Sequence, residues 1–377
     1  MLLAPTLSLS AGSGAAIARP TFSRDFAGEK TLNNGTGPAI TFTRASNATF
    51  FDANGTLQTA ANDTPRFDHS GGSSLGLLIE ESRTNSLRNS QAGGATNGVI
   101  GSGGALPTNW LAVNSVGMSR EVVGTGSENG MNYVDIRFTG TPANTNPNSV
   151  SFEGSTQVAA LQNQTWTTSA SVALVGGTLT NVTSVGIGHI EVNSGGTALA
   201  SGVITSFTPT ATLTRYVGTR TLTEASTAFY RPLVRFSPQN TVTAIDFTLR
   251  IAAPQLELGA FATSYIPTTS AAATRAADSA VVTPISSFYN QAEGTVFAEA
   301  MRTNAVASGV FPTMLRFQAD DPTVRMSLLA TNGRAYFSAV NVSTTEWDID
   351  SSLARYGITL GTAFKIAGGY AADNVAA

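Results

Sequence analysis

Residues 132–140, NYVDIRFTG, place Val134, Ile136 and Phe138 at every second position and Tyr133, Asp135 and Arg137 between them. A period of two marks an extended chain with one buried face, because successive strand side chains point to opposite sides. The pattern returns in DFTLRIAA (246–253), TVFAEAMRT (295–303) and RAYFSAVNV (334–342). No long segment keeps the 3.6-residue period of an amphipathic helix. Asn54-Gly55 and Asn332-Gly333 fall between strand-like runs, and Asn-Gly readily takes the positive φ pair of a tight hairpin turn. MSLLATNGRAYFSAV is the clearest such hairpin. The chain is expected to be all-β, with tandem two-sheet sandwiches after a short turn-rich N-terminal module.

Composition narrows the functions such a chain can serve. Only 12% of the 377 residues are charged, so the polar surface comes mainly from Thr, Ser, Asn and Gln. That profile suits β-rich extracellular or virion proteins better than cytosolic helical enzymes. The net charge is −3 with no basic cluster, which argues against nucleic-acid binding. There is no cysteine, which excludes disulfides, thiolate nucleophiles and cysteine metal sites. His69 and His189 are the only histidines, too few for a histidine-rich metal centre. No stretch reaches the ~18–20 apolar residues of a spanning helix, so membrane insertion is not expected. The N-terminal MLLAPTLSLSAGSGAAIARP lacks a positive n-region and is broken by Pro5. It reads as an extended arm, residues 1–20, that docks onto a partner.

Residues 21–90 form a turn-rich attachment module ending in GLLIEESRTNSLRNS, and 91–267 are strand-dense and sized for one sandwich. Residues 268–284 are small, polar and linker-like, and 285–377 begin a second β unit. Within the first module TRAS raises the question of whether Arg44 is catalytic. No nucleophile–base pair lies nearby, so Arg44 is expected to clamp the hairpin through Asp25, Glu80 or Glu81. The competing role is contact with an anionic glycan or a capsid partner.

Two ordered stretches, ITFTRASNATFFDANGTLQTAANDTPRFDH and LGLLIEESRTNSLRNS, resemble the opening module of tailed-bacteriophage tail-fibre and head-spike proteins. APQLELGAFATSYIPTTSAAATRAADS resembles the closing strand of carbohydrate-binding jelly rolls. SSFYNQAEGTVFAEAMRT through FKIAGGYAADNVAA is similar to the first part of a concanavalin-A or laminin-G-like sandwich. The resemblance implies a homo-oligomer on the phage particle surface, a trimer by analogy. Its N-terminal region would hold other virion proteins, and its outer modules would bind bacterial surface glycan without catalysis. Only about 90 residues follow the linker, fewer than such a sandwich needs, so the third module is expected to be incomplete at Ala377.

Glycan binding needs aromatic faces flanked by hydrogen-bonding groups. The row Tyr133, Asp135, Arg137 has that chemistry on one strand face, and Trp110, Trp166 and Tyr216 are further candidates, with core packing the competing reading for the tryptophans. His69, beside Asp68 and Ser70 in a turn-like segment, makes no triad, since adjacent residues do not face one another. His189 reads as a strand residue, and both histidines are expected to be solvated or simply hydrogen-bonded. A depolymerase would need two convergent carboxylates. Neither Glu80 with Glu81 nor Asp320 with Asp321 converges on a strand, whereas Asp348 and Asp350 beside Trp347 can share a face. No enzyme activity and no cofactor is expected. A structural calcium is compatible with the resembling modules but is not located by the sequence, and FDANG (51–55) has too few carboxylates to hold one.

Overall fold

The structure, a computed structural model, describes residues 2–4, 19–113, 116–241, 243–290, 292–303, 313–318, 325–331, 334–341, 344–350, 358–371 and 374–376. Among these residues there is no helix, and the fold class is all-β. The chain divides into two compact units, one from Met1–Glu81 with Ala276–Ala377 and one from Ser82–Arg275.

The second unit is a two-sheet sandwich. One sheet has five strands, in the order Leu111–Val113, Asn148–Ser151, Phe229–Pro238, Val182–Val192 and Ala198–Phe207. The other has seven, with Thr214–Thr221, Thr165–Thr178, Ile245–Leu258, Met131–Gly140 and Met118–Glu128 leading to two short strands. Alternation explains the core. Val134, Ile136 and Phe138 point inward from one sheet, and Ile187, Val234 and Phe236 meet them from the other. Phe138, Phe236 and Phe247 touch with centroids 4.9–5.4 Å apart. Burying each such ring stabilises the fold by roughly 1.5–3 kcal/mol.

The first unit contains a six-stranded antiparallel sheet in the order Asn374–Ala376, Ala363–Ala371, Glu293–Met301, Leu2–Ala4, Ser73–Leu78 and Phe67–Ser70. A four-stranded sheet runs from Thr313–Gln318 to Thr344–Asp350. Val296, Ala298 and Ala300 pack with Met314 and Leu328 in a small second core.

Several local readings differ from these elements. The segment at 54–55 is no two-residue turn: Phe51 pairs with Leu57, leaving five residues in the connection. Asp52 Oδ1 accepts the Asn54 and Thr56 amides there, and Gly55 takes φ 74°. Asn332 and Gly333 lie outside the described residues; the strands on either side pair Thr331 with Arg334. Residues 268–284 are ordered rather than a free linker, with Ala273–Arg275 paired to Arg83–Asn85 and Ser279–Val281 paired to Thr41–Thr43. Residues 82–90 belong to the sandwich, not to the module that precedes them.

Candidate functional site

Arg44 is buried and acts as a clamp, but its carboxylate is none of Asp25, Glu80 and Glu81. Its Nη1 lies 3.1 Å from Asp278 Oδ1, and both side chains are fully buried. Arg66, also fully buried, places Nη2 2.5 Å from Asp278 Oδ2 and Nη1 2.8 Å from Glu80 Oε2. Further guanidinium donors go to carbonyls, with Arg44 bonding Ser46 and Ala61 and Arg66 bonding Thr49. Asp278 Oδ2 also accepts the Glu80 amide at 2.8 Å. Asp25 instead caps its own turn, accepting the Gly28 amide, and Glu81 is exposed. The sequence reading missed Arg66 and Asp278. Asp278 sits in a polar run 234 positions beyond Arg44 and carries no local signal of its partner.

The row on the seven-stranded sheet is brought together as its alternation requires, and its groups are already occupied. Arg250 binds Asp135 in a two-point fork at 2.9 and 2.8 Å and Glu128 at 2.5 Å. The hydrogen bonds that Arg250 donates to Asp135 raise its pKa, with the one to Glu128 adding to them against partial burial. The Arg250 guanidinium carbon lies 3.6 Å from the Tyr133 ring centroid. On the neighbouring strand Gly126 pairs with Tyr133, and a Cβ there would come within 2.6 Å of the Tyr133 hydroxyl. Tyr133 therefore lies across the glycine with its ring against a guanidinium. Arg137 makes a second fork to Asp246, at 2.9 and 2.8 Å, which holds the Asp246 carboxyl below the usual range. Neither Arg250 nor Asp246 was read from sequence, because cross-strand register is a long-range property.

Trp110 and Trp166 take their core roles. Trp110 is 4% exposed, meets Phe152 edge-on at 5.0 Å and donates Nε1–H to the Asn89 carbonyl. Trp166 is 6% exposed, stacks near Tyr230 and donates to Gln164. A ring sealed in a core offers no face to a sugar. Tyr216 stacks on Phe207 at 3.7 Å, so one of its faces is filled.

His69 lies on Phe67–Ser70, a strand rather than a turn, with Nδ1 3.1 Å from the Phe51 carbonyl. His189 is a strand residue, but it is not solvated. It is 5% exposed, lies parallel to Tyr230, and neither ring nitrogen has a hydrogen-bond partner. Burial, reinforced by the nearby Arg220 charge, pushes its pKa down to about 4. Glu191, fully buried 4.0 Å from His189 Nε2, accepts the Thr223 and Glu224 amides, the Thr227 hydroxyl and Arg220. Burial raises its pKa, yet these donors outweigh burial and leave it lowered.

Asp320 and Asp321 lie outside the described residues. Asp348 and Asp350 lie on Thr344–Asp350, in register with Ser338 and Tyr336. Among the described residues no group of three or more His, Asp or Glu could hold a metal ion, and Asp52 serves its own loop.

No protein-family model and no curated protein matches the chain. Solved structures similar to it include the following two. The tripod (BppUct-A-L) from the baseplate of bacteriophage Tuc2009 is 12% identical with a TM-score of 0.31, covering 87% of this chain and 100% of that one. The structure of infectious bursal disease virus Gx strain is 10% identical with a TM-score of 0.21, covering 67% and 78%. Likeness this slight carries no argument about fold or function.

Proposed function

We propose that the chain is a structural component of a phage virion, a fibre or spike, that holds the particle to bacterial surface polysaccharide by non-catalytic binding. The observation that carries this reading is the state of the sandwich carboxylates. Glu128, Asp135, Glu153, Glu191 and Asp246 are each engaged by an arginine. General acid–base hydrolysis needs a carboxylate poised to give up or take a proton. Carboxylates held by guanidinium groups in this way serve a rigid scaffold better. The resemblance of residues 40–69 and 75–90 to phage fibre and spike modules, and of 253–279 to the closing strand of carbohydrate-binding jelly rolls, supplies the setting. In this reading the N-terminal region attaches to other virion proteins and the sandwich faces outward. Copies in a homo-oligomer, a trimer by the same resemblance, multiply weak contacts, with avidity gains of ~100-fold or more where geometry permits.

The test is affinity electrophoresis of the full chain through native gels cast with a panel of bacterial polysaccharides. Slowed migration with one glycan is the expected result. Unchanged migration across the panel, with the chain present in purified particles, would replace adsorption by a connector or decoration role. Shortened polysaccharide would replace it by depolymerisation.

A further inference from the structure

The outer face of the five-stranded sheet lacks the pairing that closes its counterpart. Phe229–Pro238 turns Tyr230, Val234 and Phe236 into the core, so Arg231, Leu233 and Arg235 share the opposite face. Ser149 and Ser151 flank them on one neighbouring strand, and Gly186, Gly188 and Ile190 on the other. The five strands carry a single carboxylate, Glu191, which points between the sheets to Arg220. Arg231 donates Nη1–H to Ser155 Oγ at 2.7 Å, and its Nε is buried without a partner. Among the described residues Arg235 has no hydrogen-bond or ion-pair partner, and its Nε is buried too. The glycine lane explains how it is held. A Cβ at Gly188 would stand 2.8 Å from Arg235 Cδ, and one at Gly186 would stand 2.6 Å from Val203 Cγ1. The Arg235 stem thus lies down against the sheet where a side chain on Gly188 would stand.

A partly buried guanidinium with no anion gives up hydration without compensation, and its planar fork matches a carboxylate. For Arg88, Arg137, Arg220 and Arg250 in this sandwich that demand is met internally, by Glu153, Asp246, Glu191 and Asp135. Here it is not. We propose that Arg231 and Arg235 bind carboxylates of an acidic, uronate-bearing polysaccharide along the outer face of the five-stranded sheet. This rests on the adsorption reading above and moves its site away from Tyr133. Four residues along a strand separate the two arginines by ~13 Å at Cα. That spacing fits charges recurring along a polymer better than one small anion. The surroundings include the short aliphatic groups Ile190 and Val203 and the half-buried Phe229 on the same face, while Ser149 and Ser151 on the neighbouring strand are buried.

The experiment uses native gels cast with polygalacturonate, alginate or hyaluronate, with dextran and neutral bacterial glycans as uncharged counterparts. The full chain should be retarded by at least one polyuronate and not by dextran. The Arg231→Ala/Arg235→Ala double variant should bind about tenfold or more weakly, as expected for lost charge-assisted bonds. Arg235→Lys should bind at an intermediate level, and Arg137→Ala should match the parent. Thermal melts of the variants separate lost binding from lost folding. Equal retardation of parent and double variant overturns the site. Retardation by neutral glycans alone overturns it and leaves adsorption standing. Retardation by none of the gels overturns both, and a change in oligomer size in the double variant would then assign the face to a protein contact.

Discussion

The Arg44–Arg66–Asp278 cluster and the Arg137–Asp246 fork are built from the same groups at similar distances, 2.5–3.1 Å against 2.8–2.9 Å. They differ in solvent. The first is fully buried, whereas the side chains of the second are 44% and 55% exposed. In water a pair gains little over its hydrated parts, while a buried charge that loses its partner cannot recover hydration. Distance alone therefore does not rank these interactions; burial does. Arg250 lies between the extremes, 20% exposed and bound to two carboxylates.

That ranking can be broken by single substitutions. Asp278→Ala strands the buried Arg44 guanidinium, leaves Arg66 with Glu80 alone, and should cost about 3–5 kcal/mol. Chemical denaturation read by hydrogen exchange in peptides covering 41–81 would show it, and a shift under 1 kcal/mol would remove the clamp from the account. Arg250→Ala leaves Asp135 without its fork and should cost about 1–2 kcal/mol, the low end for a lost charged partner because the site is partly wet. The same change should raise the quenching of Tyr133 fluorescence by acrylamide; unchanged quenching would mean that the guanidinium does not cover the ring.

A pH series sharpens the middle of the comparison. The folded-state pKa of His189, about 4, lies below the ordinary 6.5, so the unfolded chain binds the extra proton first. The stability from burying neutral His189 is fully present above about pH 6.5. It falls as the pH drops from there towards 4. His189→Gln should show a shallower loss over that window, whereas parallel melting curves would argue that the ring is solvated. Smallest of all, Arg137→Ala should leave the unfolding midpoint unchanged within error at any salt concentration. A clear drop would mean that the exposed fork carries structural weight after all.

The alternation at 132–140 was enough to place Val134, Ile136 and Phe138 inside, because a strand's two faces are written in adjacent letters. Which strand lies beside it was not legible. Tyr133 opposite Ala252 and Asp135 opposite Arg250 are pairings across more than a hundred residues. The identity of the neighbour decided what Tyr133 does, and its ring against Arg250 follows from register alone. TWTTSA could be split only halfway. The period puts Trp166 opposite in sense to Thr165 and Thr167, whose hydroxyls bond Thr221 and Thr219. Whether that face was core or surface depended on the second sheet. Arg231 and Arg235 drew no attention for the same reason: a lone arginine in a strand looks alike whether or not a carboxylate arrives beside it.

The buried salt cluster also imposes an order of events during synthesis. Arg44 and Arg66 emerge from the ribosome early, but Asp278 follows only after about two hundred further residues have been made. At translation rates of ~5–20 residues per second, that is a wait of roughly ten to forty seconds. The Ser82–Arg275 sandwich has all its own strands in hand by then and can close first. The leading segment meanwhile holds Arg44 without its carboxylate and Arg66 with Glu80 as its one carboxylate, and these charges favour a hydrated segment until Asp278 arrives.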